Sequence, residues 1–367
     1  MLTSPKLKIV ILSGASSIHT IRWANGLNAA GHEVHVISQH LPCDTFDKEV
    51  FFYKFPFRGS LGYFTMVPAV KKLLKKLQPD IVNAHYASGY ATTARLVGKR
   101  PWLLSVWGSD VYAFPYKSVF HMWLVRNNLL AADAVASTSH CMAEQTRKLA
   151  PGLSRIFITP FGVDMASFES VAVRETARDF ITVGTVKTMA ATYGIDILIK
   201  AFALLIEKLD ARGFAGAKDL QLRLVGGGEQ AQYKNLAAQL GIASKVTFIG
   251  RVPHNKVPHE LAELDIYVAL SRQESFGVAV IEAGAAGRPV VVSNVGGLPE
   301  VTLQGKTGFI VAAEDPQAAA DAMLQLVLDP EMRIRFGAAA RQHVSKNYSW
   351  PSCVQHMVDI FNQLLSR

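Results

Sequence analysis

Short apolar runs alternate with amphipathic patterns along the whole chain, and this alternation predicts most of its secondary structure. In the first half the apolar runs predict buried strands at Lys8–Leu12, Glu33–Ser38, Asp80–Ala84, Trp102–Val106, Ala134–Ser137 and Arg155–Thr159. The segments between them have helical periodicity, clearest at Thr20–Ala30, which is followed by Gly31 as a helix end usually is. Strands that alternate with helices indicate parallel βαβ units and a doubly wound sheet.

The second half repeats the pattern from Asp179–Gly184 onward. Its other predicted strands are Leu220–Val225, Lys245–Ile249, Asp265–Ala269, Pro289–Ser293 and Gly308–Val311. The polar stretch Met165–Arg178 predicts a linker between the halves. We therefore expect two Rossmann-like α/β domains at residues 1–165 and 166–349, and a last helix at residues 350–367 that either domain can take.

Composition excludes several classes of protein. Half of the 367 residues are hydrophobic and 18% are charged, so the chain can bury two cores. No apolar run approaches the roughly 18 residues that a membrane span needs, and the first run predicts a strand rather than a signal peptide. Cys43, Cys141 and Cys353 have neither metal-binding nor redox spacing, which predicts a reducing, cytoplasmic compartment.

The positive charge is confined to the first half. Residues 1–165 contain 18 Lys and Arg against 9 Asp and Glu, whereas residues 166–367 contain 20 of each kind. Such asymmetry predicts an anionic partner for the first half: a lipid surface, a nucleic acid or a phosphorylated substrate, with solubility alone as the simpler explanation. No nucleic-acid-binding motif is present, so we expect no nucleic acid partner.

One predicted helix of the basic half is strongly two-sided. Its apolar face consists of Val67, Val70, Leu73, Leu74 and Leu77, and its polar face of Lys71, Lys72, Lys75 and Lys76. The leucines are expected to pack inward while the lysines meet anionic lipid head groups at the inner membrane face. The aromatic residues of Phe51–Phe64 are expected to add an apolar loop to that surface.

The strongest local signal lies between Leu270 and Glu300. After a predicted strand, Ser275 is expected to cap a helix whose free amides, those of Phe276, Gly277 and Val278, attract an anion. Glu274 and Glu282 would flank a diphosphate there, each suited to a pair of sugar hydroxyls. A capped helix with two ordinary glutamates, or a glycosidase acid/base pair, are the competing interpretations.

Glycine turns follow other predicted strands as well. Gly14 ends the first strand, Gly226–Gly228 follow the strand at Leu220–Val225, and Gly296–Gly297 follow the one at Pro289–Ser293. Ligands of doubly wound folds bind at the carboxyl ends of strands, where glycine lets the backbone come close to them. These turns therefore predict one ligand-binding edge in each domain.

The ordered set of motifs resembles glycosyltransferase family 4, because Glu274 and Glu282 fit the Glu-x7-Glu motif of retaining GT-B glycosyltransferases. The other segments that are similar to the family are His19–Trp23, Gly31–Val34, Asp80–His85, Trp107–Asp110, Pro160–Asp164, Gly296–Glu300 and Gly305–Gly308. The resemblance covers nearly the whole chain. It implies a GT-B fold with an acceptor domain and a donor domain that face across a cleft, and a last helix that crosses back to the first domain.

The resemblance also implies site residues. Glu282 would hold the ribose hydroxyls of a nucleotide sugar, and Glu274 the hydroxyls of the transferred sugar. Val252 would lie against the base, His85 over the sugar, and His19 and Asp110 on the acceptor side. The donor is also expected to contact Gly14, Gly226, Phe276, Gly277 and Val278.

The chain departs from the family at the diphosphate clamp. Thr185 stands where the family usually has Arg, and no Lys directly precedes Tyr193–Gly194, so we assign the diphosphate to Lys187. There is no Asp-x-Asp motif, and we expect no metal and no cofactor. Together with His85 and Glu274, Lys187 is predicted to be catalytic, because charge on the leaving diphosphate must be stabilised.

These observations predict a retaining hexosyltransferase that uses a nucleotide-sugar donor, such as a UDP-sugar, and a lipid-linked or saccharide acceptor in bacterial surface polysaccharide synthesis. A nucleotide-sugar-binding protein or inactive partner subunit is the alternative that the missing clamp favours. A dinucleotide-dependent oxidoreductase is disfavoured because the turn at Gly14 lacks the Gly-x-Gly-x-x-Gly spacing. An epimerase or phosphorylase of the same fold stays open.

Overall fold

The chain folds into two compact units. The computed structural model describes residues 5–153, 155–171, 180–214 and 219–366. Unit 1 comprises Met1–Phe161 and Trp350–Arg367, and unit 2 comprises Gly162–Ser349. The boundary lies four residues before the division at 165 that the sequence predicts. Most of the predicted linker, residues 172–178, and the predicted strand residue Asp179 lie outside the described residues.

Unit 1 is built on a parallel sheet of seven strands in its described part. The strands are β1 Lys8–Leu12, β2 Glu33–Ser38, β3 Phe51–Lys54, β4 Ile81–His85, β5 Trp102–Val106, β6 Ala134–Ser137 and β7 Ile156–Ile158. Their order is β3-β2-β1-β4-β5-β6-β7, so the winding direction reverses between β1 and β4. In the register of the sheet Ile9 pairs with both Val34 and Ile81. A reversal of this kind opens a crevice at the carboxyl ends of the two strands.

Seven helices of unit 1 connect these strands in the described residues. They are α1 Ile18–Ala29, α2 Gly59–Thr65, α3 Val67–Leu77, α4 Gly89–Val97, α5 Ser109–Tyr112, α6 Val119–Ala131 and α7 His140–Leu149. The predicted faces of α3 are confirmed: Val70 and Leu74 are buried, while its lysines are exposed. Pro68 lies in its first turn, where the missing N–H costs nothing.

The aromatic segment Phe51–Phe64 is not the loop that the sequence predicted. It forms the edge strand β3, which pairs with β2, and then the helix α2. Four of its rings, those of Tyr53, Phe55, Phe57 and Tyr63, pack partly buried against the core of unit 1. The segment has no clear alternation of apolar and polar residues that would predict a strand. It forms one because aromatic residues favour half-buried strands and because its backbone pairs with β2.

Unit 2 has a parallel sheet of six strands in its described part. The strands are β8 Ile181–Val186, β9 Leu220–Val225, β10 Val246–Gly250, β11 Ile266–Ala269, β12 Val290–Ser293 and β13 Gly308–Val311. The order β10-β9-β8-β11-β12-β13 reverses between β8 and β11. The two doubly wound, Rossmann-like sheets that the sequence predicted are therefore confirmed, with strand ends that move by one or two residues.

The remaining helices complete unit 2 and return the chain to unit 1. Unit 2 contains α8 Ile195–Asp210, α9 Ala231–Gln239, α10 Val257–Ala262, α11 Val278–Ala285, α12 Leu298–Val301, α13 Pro316–Leu328 and α14 Pro330–Asn347. The last helix, α15 Trp350–Leu365, belongs to unit 1 and packs against α1 through Trp350 and Trp23. Arg367 lies outside the described residues. No helix in the described part of the chain is long and apolar enough to cross a bilayer.

A close approach of two loops fixes the carboxyl edge of the unit 2 sheet. Gly194 has φ +63°, and a Cβ there would lie 1.8 Å from the carbonyl oxygen of Leu270. The backbone N–H of Arg272 donates to the carbonyl of Thr192 in the same place, at 2.8 Å. Only glycine lets the loop before α8 reach the loop after β11 in this way.

We predict that Gly194→Ala destabilises the protein much more than Gly213→Ala. Both glycines have φ +63°, but nothing lies within 4 Å of a Cβ at Gly213, so that substitution tests the backbone conformation alone. We expect a loss of about 1–2 kcal/mol at Gly213 and at least about 4 kcal/mol at Gly194. The measurement is the free energy of unfolding in urea. Equal losses would mean that the two loops do not approach as described.

Candidate functional site

An ion pair occupies the reversal point of the unit 2 sheet. Lys187 directly follows β8, and Glu274 lies in the loop after β11. Because these parallel strands are neighbours, their carboxyl ends are adjacent, and Lys187 Nζ lies 2.6 Å from Glu274 Oε2. The two side chains are 18% and 13% exposed. Nζ also stands 4.5 Å from the centre of the Tyr193 ring, a cation–π contact that holds the ammonium from the other side.

Glycine turns hold the backbone of both partners. Gly226 has φ +151°, and a Cβ there would stand 1.9 Å from the Lys187 carbonyl oxygen. Lys187 in turn donates its N–H to Val225 at 2.8 Å. At Glu274 the carbonyl accepts from Gly297 N–H at 3.1 Å, and a Cβ on Gly296 would lie 1.7 Å from the same oxygen. The turns at 226–228 and 296–297 that the sequence singled out therefore position the ion pair.

The electrostatic balance keeps Lys187 charged. Burial is the largest single influence on the pKa of the Lys187 ammonium and lowers it. The charge and hydrogen bond of the Glu274 carboxylate, together with Tyr267 and Tyr193, outweigh burial, and the net pKa is raised. Beneath the pair lies Tyr267, fully buried on β11, whose pKa burial raises to about 12. A neutral phenol between charged groups leaves the ammonium as a fixed positive centre at neutral pH.

The helix beyond Glu274 begins later than the sequence predicted. Its first residue is Val278, and its N-cap is Gly277 with φ +115°, so Ser275 does not cap it. The left-handed conformation at position 277 favours glycine. The helix therefore begins after Gly277, although serine is the better capping residue by its side chain. Phe276 is buried, and its ring packs against Tyr348 at 5.8 Å. The N–H groups of Val278 and Ala279 come before the first hydrogen bonds of the helix, which Val280 and Ile281 donate to the carbonyl of Gly277.

Glu282 lies within α11 and is the second carboxylate at this edge. Its side chain is 11% exposed, and its Oε1 lies 3.8 Å from Nε2 of His254, in the loop after β10. The same loop contains the half-buried Val252. The contact between His254 and Glu282 thus places the loop that contains Val252 beside α11.

A nearby arginine has a structural role. The guanidinium of Arg272 donates twice to Asp196, each at 2.8 Å, and contacts Glu314 and the carbonyl of Ala191. The hydrogen bonds that Arg272 donates to the Asp196 carboxylate raise the pKa of Arg272 further. These contacts tie the loop after β11 to the start of α8 and use the charge of Arg272 within the protein.

The reversal point of the unit 1 sheet contains a buried, neutral histidine. His85, the last residue of β4, is 1% exposed, and burial, followed by the nearby His19, lowers its pKa to about 3. Its Nδ1 lies 3.0 Å from Ser13 Oγ, at the end of β1. We therefore expect an uncharged imidazole throughout the physiological range.

A chain of hydroxyl groups determines which nitrogen of His85 holds the proton. The hydroxyl of Thr20 donates to the carbonyl of Gly14 at 3.0 Å, so in its 2.7 Å contact with Ser13 it accepts. The hydroxyl of Ser13 therefore donates its one proton to Thr20, and it must accept a hydrogen bond from His85 Nδ1–H. The neutral imidazole is therefore the Nδ1–H tautomer, and Nε2 is left with a free electron pair that can accept an O–H hydrogen bond.

Aromatic rings surround this histidine in unit 1. Trp107 lies 4.3 Å from His85 and 6.0 Å from His19, between ring centres. His19, on the first turn of α1, stacks on Phe161 at 3.9 Å. Gly14 precedes this helix, and a Cβ there would meet its neighbours only at ordinary contact distances of 3.6 Å or more. The protein's own packing thus does not demand glycine at position 14, which leaves a close approach by a ligand as a reason for it.

Asp110 holds the loops around His85. Its carboxylate is 2% exposed and accepts from the N–H groups of Ala87, Trp107 and Gly108 at 2.8, 3.1 and 2.8 Å. Burial raises its pKa, and these three hydrogen bonds oppose the shift. Backbone N–H groups engage both carboxylate oxygens, and the position of Asp110 on the acceptor side stays a prediction.

Tyr193 and Tyr267 are the residues of the Lys187–Glu274 environment that sequence reasoning missed. Tyr193 precedes a glycine turn and Tyr267 is an inward position of a strand, and both patterns are ordinary. Tyr193 lies in the loop that Lys187 begins, and the strand order brings Tyr267, on β11, next to Lys187. Among the described residues, no three His, Cys, Asp or Glu side chains are grouped so that they can hold a metal ion.

Two family models match the chain. The model for glycosyl transferases group 1 matches residues 167–343, and that for glycosyl transferase 4-like proteins matches residues 8–139. The D-inositol 3-phosphate glycosyltransferase of Corynebacterium efficiens is 30% identical over 323 residues, which are 78% of this chain and 72% of the relative. The N-acetyl-alpha-D-glucosaminyl L-malate synthase of Bacillus anthracis is 26% identical over 388 residues, 98% of each chain.

A solved structure supports the same fold. Anabaena Alr3699/HepE in complex with UDP-glucose superimposes with a TM-score of 0.75 at 18% identity, and the match covers 98% of this chain and 100% of that one. The two matched models and the Corynebacterium relative show that the chain belongs to glycosyltransferase family 4, whose members have the GT-B fold. It is a glycosyltransferase, as the sequence predicted.

We predict that the imidazole of His85 stays neutral, as the Nδ1–H tautomer, from pH 8 down to about pH 4. Nitrogen-15 NMR of labelled histidine tests this, with the signal assigned through its loss in His85→Gln. Since the unfolded chain takes up a proton near pH 6.5 that the native histidine refuses, the free energy of unfolding should fall as the pH drops from about 6.5 towards 3. Titration of the native signal near pH 6.5, or an Nε2–H tautomer, would contradict the hydrogen-bond chain.

Proposed function

We propose that this chain is a retaining hexosyltransferase that takes its sugar from a nucleotide-diphosphate donor without a metal ion. The observation that carries the proposal is the ammonium of Lys187, fixed 2.6 Å from Glu274 at the reversal point of the unit 2 sheet. A preorganised positive charge stabilises a leaving diphosphate better than a mobile one, because it need not reorganise during the reaction.

The residues of unit 2 divide between the parts of such a donor. Lys187 and the first N–H groups of α11 would bind the diphosphate. The Glu274 carboxylate would accept hydrogen bonds from the transferred sugar, and that of Glu282 from the ribose. Val252 would pack on the base. Gly226, Phe276, Gly277 and Val278 would shape this site through their backbone.

The residues of unit 1 have a different part in the proposal. The free electron pair on His85 Nε2 would accept a hydrogen bond from a sugar hydroxyl, and Gly14 would let the donor come close to the backbone. His19 would lie on the acceptor side.

The bond from the anomeric carbon to the diphosphate would break as one to the acceptor oxygen forms on the same face. The acceptor's proton would leave with the diphosphate.

Two acceptor classes agree with the basic charge of the first half. A lipid-linked or saccharide acceptor at an anionic membrane agrees with the exposed lysines of α3 and would make the chain a peripheral enzyme of surface polysaccharide synthesis. A small anionic acceptor is favoured by the relatives, whose names mention inositol 3-phosphate and malate.

The free cysteines Cys43, Cys141 and Cys353 agree with a reducing, cytoplasmic compartment.

The first test is a screen of UDP-, GDP- and ADP-sugars by thermal shift and slow donor hydrolysis, with and without EDTA. We expect one nucleotide class to raise the Tm with no effect of chelation. Glu282→Gln should abolish that shift, while Glu331→Gln, on an exposed glutamate of α14, should preserve it. Lys187→Met should lower turnover by about 100- to 1000-fold.

The same reaction distinguishes the rival functions. Proton NMR of the first sugar released should show the anomeric configuration of the donor. Inverted product would reject retention, and a requirement for a divalent ion would reject metal independence. Donor binding without turnover in the presence of candidate acceptors would favour a non-catalytic binding subunit, and no binding of any nucleotide sugar would reject the proposal.

A further inference from the structure

The helix α6 is apolar on two opposite faces. Leu124, Val125 and Leu129 face the core of unit 1 and are buried. On the outside, Val119, Phe120 and Trp123 are 87%, 58% and 53% exposed, and Leu130 continues the row at helical spacing. A surface helix of a soluble protein normally has polar residues on its outer face. We call Val119, Phe120, Trp123 and Leu130 the α6 stripe.

The turn before α6 holds the stripe in place. Ser118 caps the helix by accepting from the N–H of His121, and the ring of His121 packs on Phe114 at 4.7 Å. The ring of Phe120 is stacked with that of Trp123 at 6.0 Å. Tyr116, exposed in the same turn, accepts a hydrogen bond from Gln145 at 2.9 Å. These contacts fix large apolar side chains in water, so the exposure does not come from a disordered loop.

The charge around the stripe indicates what covers it. No acidic residue occurs between Asp110 and Asp133, whereas Lys117 and Arg126 are both exposed there. Trp, Tyr and Phe next to Lys and Arg are the side chains that favour a bilayer interface, where rings sit at head-group level and cations meet lipid phosphates. A second protein surface would have to supply acidic partners, which this segment of a second copy lacks.

The stripe and the lysines of α3 lie on the same layer of unit 1. Both α3 and α6 pack against α4, whose own Leu96 is exposed. The sequence pattern identified only the lysines, which act through charge. The stripe adds side chains that act through burial, and the two contributions respond differently to salt because screening weakens only the charged one.

The position of the stripe relates it to the acceptor. The helix α5 starts at Ser109, and the short turn Phe114–Lys117 connects it to α6. The loop that Asp110 ties to Ala87, next to His85, therefore continues directly into the stripe. A membrane that holds the stripe would lie next to this loop of unit 1.

We propose that the α6 stripe inserts into the interface of an anionic bilayer and so brings the enzyme to an acceptor held in that membrane. The inference rests on the proposed function only for the acceptor. Binding to the bilayer itself does not depend on catalysis.

The test is binding of the full chain to vesicles of phosphatidylcholine with anionic phosphatidylglycerol, measured by sedimentation at low and high salt. We expect part of the binding to survive high salt, with a blue shift of the tryptophan fluorescence and quenching by brominated lipid, both of which a variant without Trp123 should lack. The variant Phe120→Ser/Trp123→Ser should lower the salt-resistant affinity by about 100-fold, since burial of one large apolar side chain is equivalent to about tenfold or more.

The controls separate this surface from other effects. Leu240→Ser/Leu328→Ser removes two exposed leucines of unit 2 and should bind as the wild type does. Replacement of Lys71, Lys72, Lys75 and Lys76 by Gln should remove only the salt-sensitive part. Circular dichroism checks that each variant folds, and donor hydrolysis without vesicles, which reports the proposed function separately, should be unchanged in the stripe variant.

Three results would overturn the inference. The first is vesicle binding that the Phe120→Ser/Trp123→Ser variant leaves unchanged. The second is binding that high salt abolishes entirely, which would assign it to the lysines alone. The third is a wild-type dimer in analytical ultracentrifugation that binds no vesicles and that the same variant dissociates, which would make the stripe an interface between copies of the chain.

Discussion

The candidate site of unit 2 depends on one ion pair, which joins the loops after the two strands where the sheet reverses. Bringing Lys187 and Glu274 out of water is costly, and their mutual attraction at 2.6 Å opposes that cost. The surrounding structure serves this pair. Glycine turns at Gly226 and Gly296 bring the backbone close enough, and the Tyr193 ring supports the ammonium on its other side. A site built in this way has its positive charge in place before any ligand arrives.

The two units solve different chemical problems. Unit 2 presents charge, with one ammonium and two carboxylates along a single sheet edge. Unit 1 presents a neutral histidine among aromatic rings, with its Nδ1 proton committed to Ser13 through the hydroxyl chain. The apolar stripe of α6 follows the loop that Asp110 holds, so the unit that carries His85 also carries the apolar surface for which we propose a membrane partner. The proposed recognition of the acceptor and the proposed attachment to a membrane thus fall to the same unit.

Much of this organisation was predictable from the sequence, because the strands, the turns and the candidate site each correspond to a pattern of neighbouring residues. Apolar periodicity predicted both sheets, glycine turns marked the strand ends, and the spacing of Glu274 and Glu282 drew attention to the edge at which we propose donor binding. Four features were not predictable from local patterns. The strand β3 depends on pairing with β2, the start of α11 depends on the left-handed Gly277, and the approach of Tyr267 to Lys187 depends on strand order. The tautomer of His85 needs three hydroxyl contacts that only the fold assembles.

The most direct test of the account separates the two partners of the ion pair by calorimetry. The affinities of the wild type, Lys187→Met and Glu274→Gln are measured for a free nucleotide diphosphate and for the corresponding nucleotide sugar. Lys187→Met should weaken both ligands by about tenfold or more, because both carry the diphosphate. Glu274→Gln should spare the free nucleotide and remove the extra affinity that the sugar provides. Equal losses for both ligands in Glu274→Gln would contradict the assignment of the carboxylate to the sugar.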